Sequence, residues 1–139
     1  MTTRHARYLS PILLCAALLL AACGAPPTVD YRMADARKHR EKGDLMAAII
    51  ELKNVLKQQP GHAEARYLLG VVYLQSGDAV NAEKNFRKDL QNNNENGWAL
   101  YGLYKALQLQ KKNGDAAKIY IRFKTAFSKS DIQIQNSMY

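Results

Sequence analysis

The stretch LGVVYLQSGDAVNAEKNF, residues 69–86, carries the pattern that predicts the fold. Gly77 and Asp78 interrupt two runs of residues with helical spacing. Glycine adopts at little cost the left-handed conformation that ends a helix, and an aspartate can accept the free amide hydrogens of the helix that follows. Small or apolar residues then recur at intervals of four, on one face of a helix: Ala82, Phe86 and Leu90.

The Gly-Asp pair recurs on both sides of this stretch. Gly43-Asp44 precedes it, and Gly114-Asp115 follows it at a slightly longer interval. The residues five, nine and thirteen positions after each of these glycines are again small or apolar: Ala48, Leu52, Leu56, Ile119, Phe123 and Phe127. We therefore predict that the chain repeats a helix-turn-helix unit three times, with Asp115 capping the last helix and a third unit three residues longer than the others.

This layout, with a period of about 34 residues, resembles the tetratricopeptide repeat. The second unit carries the resemblance most clearly, through Leu69-Gly70, Tyr73, Gly77, Ala82 and Phe86. It implies an all-α fold, a short α–α solenoid of about three units. We assign 29–62 to the first repeat, 63–96 to the second, 97–130 to a repeat-like third unit and 131–139 to a C-terminal tail.

Residues 1–22 are predicted to be a lipoprotein signal peptide. Arg4 and Arg7 precede an uninterrupted run of apolar or small residues, 12–22. This run is shorter than the roughly 20 residues that span a bilayer and is typical of a signal-peptide core. The following residues 20–23, LAAC, resemble the lipobox of bacterial lipoproteins, which implies cleavage before Cys23 and a covalent lipid on it. An ordinary signal peptide with a chance cysteine is the alternative.

The resemblance to lipoproteins also implies a location. Residues 23–28 would form a lipid-anchored linker, of which 24–28 reach at most about 17 Å. Gly24 stands where an aspartate would resemble an inner-membrane retention signal. We therefore expect a periplasm-facing anchor in the outer membrane.

The composition argues against an enzyme or a metalloprotein. The chain has 139 residues, two cysteines and three widely separated histidines. Clustered cysteine and histidine ligands are typical of zinc sites, and a Gly-rich loop is typical of phosphate binding; the sequence has neither. We expect no catalytic residue, no metal and no cofactor other than the lipid on Cys23.

Repeat arrays bind partners along their concave side, which the first helices form. We predict a partner-binding groove there, since aromatic side chains are frequent interface hot spots; packing of the tyrosines between helices is the alternative. A basic edge is predicted beside it, with a solvated helix face as its alternative. The groove residues are Tyr67, Val71, Leu74, Tyr101 and Tyr104, and the edge residues are Arg37, Arg40 and Lys111.

Two stretches, 47–56 and 65–70, resemble the repeats of lipoproteins that accompany exosortase and exopolysaccharide export systems. This resemblance implies a non-catalytic scaffold that helps to assemble an envelope complex, with envelope proteins as partners and the membrane bound through the lipid. A pilotin-like lipoprotein for type IV pilus or secretin assembly and a polysaccharide-binding envelope protein are the alternatives. The net charge of +8 suggests anionic lipid or acidic polysaccharide rather than nucleic acid, which an envelope protein rarely meets.

Overall fold

The computed structural model describes residues 26–128, which form six helices and no strand. The predicted signal peptide, Cys23 and the predicted tail at 131–139 lie outside the described residues. The helices are α1 Val29–Glu41, α2 Leu45–Gln58, α3 Ala63–Gln75, α4 Ala79–Asn92, α5 Gly97–Leu109 and α6 Asn113–Ser128.

The helices form three pairs that stack in chain order. Each helix packs against the next one along the chain, and α3 also touches α5. The first helices of the pairs, α1, α3 and α5, begin at Val29, Ala63 and Gly97, which are separated by equal intervals. This arrangement confirms the predicted all-α solenoid.

The first two turns have the predicted geometry. Gly43 and Gly77 have φ angles of 77° and 79°. The amide of Gly77 donates to the carbonyl of Leu74 at 3.1 Å, and that of Asp78 donates to the carbonyl of Tyr73 at 2.9 Å. The Asp78 carboxylate then accepts from the Asn81 amide at 3.0 Å. Each turn thus ends one helix and caps the next.

The third turn differs from the prediction. Lys111, not Gly114, occupies the left-handed position, with φ 60°. Its amide donates to Gln108 O and that of Lys112 to Leu107 O, both at 2.9 Å, which repeats the bonds of the first two turns. Lys111 follows Gly77 by the same interval that separates Gly77 from Gly43, and Asp115 lies inside the first turn of α6. The expectation of a third unit three residues longer is therefore wrong.

Lys112 occupies the position that aspartate holds in the other two turns, and it contacts α4 instead. Its Nζ donates to Glu83 Oε2 at 2.8 Å. Gln110 Nε2 and Arg87 Nε also donate to this carboxylate, each at 2.8 Å. Burial acts to raise the pKa of Glu83, but these three donors outweigh it and hold the pKa at about 2. Glu83 is therefore ionised at neutral pH, and its hydrogen bonds hold the third turn against α4.

Phe86 of α4 packs in the core against two glycines. The ring is fully buried. A Cβ atom built on Gly70 of α3 would lie 2.7 Å from the ring, and one built on Gly102 of α5 would lie 2.3 Å from it. Since carbon atoms do not approach this closely, both positions require glycine if the three helices are to keep their spacing.

A buried ion pair connects the two helices of the second unit, α3 and α4. Arg66 on α3 and Asp89 on α4 are 4% and 3% exposed, and their side chains approach to 3.9 Å. Arg66 also donates to the carbonyl of Pro60, and Asp89 accepts from Asn96 Nδ2 at 2.8 Å. Burial raises the pKa of Asp89, opposed by the Asn96 hydrogen bond and the Arg66 charge. The pair links the turn before α3 to the turn after α4.

We predict that Lys111→Gly stabilises the protein. A side chain at a left-handed position destabilises the folded state by about 1–2 kcal/mol, and glycine removes this strain. Glycine also raises the conformational entropy of the unfolded chain, which offsets part of the gain. For about 100 residues, a gain of about 1 kcal/mol raises the thermal midpoint by about 4–8 °C. The midpoint is measured by circular dichroism, with Gly77→Ala as the reciprocal variant that should lower it. A lower midpoint for Lys111→Gly would contradict the assigned turn.

We predict that Gly70→Leu lowers the thermal midpoint strongly. The new side chain would overlap the Phe86 ring, and overpacking of this kind costs about 1–3 kcal/mol or more. Gly114→Ala is the matched control, since a Cβ there meets nothing within 4 Å and its midpoint should be unchanged or higher. Equal midpoints for Gly70→Leu and wild type would refute the packing of α3 on α4.

Candidate functional site

A groove runs along the first helices, α1, α3 and α5. Equivalent positions of the repeat recur on this side of each helix, and several of them line surface pockets. Three surface pockets lie along these positions. The matching sets are Met33, Tyr67 and Tyr101; Arg37, Val71 and Lys105; Arg40, Leu74 and Gln108; Glu41, Gln75 and Leu109.

The largest of these pockets lies between α3 and α5 and has a volume of about 580 Å³. Leu74 and Leu109 supply its apolar lining, and Gln75, Gln108 and Lys105 supply its polar groups. Leu109 is 60% exposed. The volume falls within the range of about 300–1,000 Å³ that is usual for binding pockets. The pocket can hold an apolar side chain beside a group that Lys105 can bind.

Two smaller pockets, of about 270 and 390 Å³, continue the groove toward α1 and toward the start of α5. Tyr67 borders both of them. Arg37 forms an ion pair with Glu64 across α1 and α3. Burial raises the pKa of the Tyr67 phenol, and the positive charge of Arg40 partly offsets this rise. Tyr67 is therefore a neutral hydrogen-bonding group in the middle of the groove at physiological pH.

The predicted groove residues of the second unit lie on this side, at different depths. Tyr67 is half-buried, with its ring centroid 6.3 Å from that of Phe86. Val71 and Leu74 are 5% and 9% exposed. Their side chains therefore form the floor of the groove, and most of their surface already packs inside the protein.

Both predicted tyrosines of the third unit pack among aromatic rings between α5 and α6. The ring centroid of Tyr101 lies 5.2 Å from that of Phe123, that of Tyr104 lies 5.0 Å from that of Tyr120, and the two tyrosines are 6.2 Å apart. Lys105 lies over the rings of Tyr101 and Tyr104, 5.5 and 5.9 Å from their centroids. Both tyrosines thus belong to this cluster of rings, and neither lines one of the three pockets.

Arg37 and Arg40 of the predicted basic edge line the pocket between α1 and α3. Lys111 does not lie on α5, because α5 ends at Leu109 and Lys111 follows in the turn. The expected placement of Lys111 on the face of a first helix is therefore wrong. Lys105 provides the positive charge at that end of the groove.

Several groove residues are absent from the sequence-based set, and Trp98, Lys105 and Leu109 are three of them. They line two of the pockets. Alignment on Gly114 shifted the third unit by three residues. The interval from Arg37 to Val71, applied once more, leads to Lys105, so the repeat period alone contained the signal.

Residues 26–128 contain neither a candidate metal site nor a candidate membrane-spanning helix. Within this range no group of three or more His, Cys, Asp or Glu side chains is arranged to hold a metal ion. Similarly, no helix of the described part of the chain has the length and apolar character to cross a bilayer.

Comparison with known proteins agrees with this geometry. The tetratricopeptide repeat family matches residues 39–84. The crystal structure of the MamA protein is similar with a TM-score of 0.68 at 17% identity, over 78% of this chain and 61% of that one. The globular C-terminal domain of LpoP from P. aeruginosa is similar with a TM-score of 0.62 at 24% identity, over 73% of this chain and 97% of that one.

No curated protein matches the sequence significantly. The chain spans about three fifths of the length of MamA, and both structural likenesses concern the fold. The described helices thus form an all-α solenoid of the tetratricopeptide type, and the repeat model matches residues 39–84 of the chain. Solenoids of this class present extended concave surfaces to protein partners.

Proposed function

We propose that this protein is a non-catalytic scaffold that binds a segment of an envelope protein in the groove of α1, α3 and α5. The observation that carries the proposal is the pocket of about 580 Å³ between α3 and α5, with exposed Leu109 at its rim and Lys105 beside it. Such a pocket suits an apolar side chain flanked by an acidic one. Interfaces of this kind concentrate their affinity in a few anchors.

The location in the envelope rests on residues 20–23. We propose that Cys23 carries a lipid and that the repeats stand on the periplasmic side of the outer membrane, close to its surface. A scaffold held there can gather the components of an envelope complex, such as one that exports exopolysaccharide. The support for this part of the proposal is the similarity to the lipobox and to the repeats of export-associated lipoproteins.

Leu109→Glu is predicted to weaken partner binding without unfolding the protein. The change places a carboxylate in the apolar part of the pocket, and truncating or charging an interface anchor costs about 2 kcal/mol or more, roughly thirtyfold in affinity. A photo-crosslinking amino acid at Gln108 captures the partner in cells, and mass spectrometry identifies it. Tyr31→Glu is the matched control, since Tyr31 is 61% exposed and lines none of the three pockets of the groove.

The groove proposal fails if Leu109→Glu and wild type capture the same protein with equal yield. The identity of the captured protein separates the candidate complexes. A secretin or pilus subunit supports the pilotin-like alternative, whereas a polysaccharide-export component supports the scaffold in export. Capture of polysaccharide alone would make the protein a glycan-binding one.

Cys23→Ser is predicted to release the protein from the membrane. Serine lacks the thiol that forms the thioether with lipid, and without acyl chains stable anchoring is lost. Membrane and soluble fractions are separated, and the mass of the protein reports its acyl chains. Cys15→Ser is the control, because Cys15 lies within the run 12–22 that would be removed. Palmitate labelling of the Cys23→Ser variant would rule out this anchor.

A further inference from the structure

The second helices carry an unusual surface on the side of the solenoid away from the groove. Four positions on each of α2, α4 and α6, spaced as one helix face and repeated with the period of the units, are all exposed. We call this surface the outer ridge. Its residues are Met46, Ile50, Lys53 and Lys57; Val80, Lys84, Arg87 and Gln91; Gly114, Lys118, Ile121 and Thr125.

Large apolar side chains are exposed along the outer ridge. Met46 is 68% exposed, Ile50 54%, Val80 67% and Ile121 66%. These four residues are distributed over all three second helices rather than confined to one. Met46 and Ile50 lie one helical turn apart on α2 and form an exposed apolar pair, and Val80 and Ile121 add single apolar groups on α4 and α6.

The charged residues of the outer ridge are all basic. Lys57 and Lys84 form no ion pair within residues 26–128, whereas Arg87 pairs with Glu83 and Lys118 pairs with Asp115 at 3.6 Å. Lys53 lies over the ring of Tyr73, 5.8 Å from its centroid.

The acidic residues of the second helices do not balance this charge. Glu51 is paired with Arg32, the Glu83 carboxylate is engaged by donors from the third turn, and Asp115 is paired with Lys118. Asp89 is 3% exposed. Lys88, next to the ridge on α4, also lacks an ion pair in the described part of the chain, so the outer side of the solenoid stays positive.

We propose that the outer ridge lies on the surface of an anionic phospholipid bilayer. Apolar side chains that enter the headgroup region, flanked by lysines, are the usual chemistry of proteins that rest on membranes. A protein interface fits less well, since lysine is depleted in such interfaces. An acidic polysaccharide would satisfy the lysines but offers no apolar phase for Met46, Ile50, Val80 and Ile121.

This inference goes beyond the groove and adds an orientation to it. With the ridge on the membrane, α1, α3 and α5 face away from the lipid, and the groove stays open to a partner. The short linker 24–28 would hold the repeats within reach of the bilayer if Cys23 is lipidated as proposed. The lipid anchor on Cys23 would keep the repeats near the bilayer, and the lysines of the outer ridge would determine which side of the solenoid faces it.

The single tryptophan of the chain makes this orientation measurable. Trp98 lines the groove side. The full chain is reconstituted with vesicles of phosphatidylcholine, with or without phosphatidylglycerol, that contain brominated phospholipid as a quencher. A second protein carries Trp98→Phe with Ile50→Trp, which moves the reporter to the ridge, and Trp98→Phe with Val80→Trp gives an independent reading from α4.

The ridge reporters should be quenched in vesicles with phosphatidylglycerol and much less without it, and Trp98 of the wild type should not be quenched in either. Adding Lys57→Gln, Lys84→Gln and Lys88→Gln should remove the quenching. Each lysine near an anionic surface contributes about fivefold, so the three shift the equilibrium by on the order of a hundredfold. High salt should have the same effect.

The proposal is overturned if both ridge reporters stay unquenched while circular dichroism shows folded helices. Equal quenching in neutral vesicles, or quenching of Trp98 instead, overturns it as well. If dextran sulfate shifts the emission of the ridge reporters and lipid does not quench them, the ridge binds a polyanion and not a bilayer. None of these readings depends on partner capture at Leu109, so this inference and the proposed function can fail separately.

Discussion

The close approach of three helices around the ring of Phe86 is the constraint on which the rest of the structure depends. The ring lies against Gly70 of α3 and Gly102 of α5, at distances that leave no room for a side chain on either. This packing brings α3 into contact with α5, and the pocket between Leu74 and Leu109 lies along the same two helices. The two helices that pack on Phe86 through glycines are thus the same two that line the candidate binding pocket.

The two sides of the solenoid differ in the chemistry of their exposed side chains. On the groove side, Tyr67 and Val71 lie partly or fully within the packed interior, and only groups such as Leu109 and Lys105 are open to a ligand. On the outer side, every ridge position is exposed and the charged ones are basic. A scaffold that binds a protein on one side and rests on a lipid surface on the other would need this division.

The third unit shows how the repeat changes at the end of the described structure. Tyr104 and Tyr120 stand where the second unit has Gly70 and Phe86, and they pack on each other at 5.0 Å. In the second unit a following helix covers the ring, whereas Tyr120 remains 40% exposed. Contacts between aromatic rings stabilise a fold beyond the effect of the area that they bury. The ring contacts between α5 and α6 therefore replace part of the stabilisation that a following helix gives to the second unit.

The sequence by itself determined the helix-turn-helix unit, its period and its first two turns, because Gly43, Gly77 and the aspartates after them act through local backbone geometry. Only the tertiary structure decided the conformation of the third turn, where Lys111 adopts a left-handed conformation that its residue type disfavours. The bonds from Gln110 and Lys112 to Glu83, on the preceding helix α4, hold that turn in place. Long-range contacts of this kind override a local preference of about 1–2 kcal/mol, and no local pattern contains them.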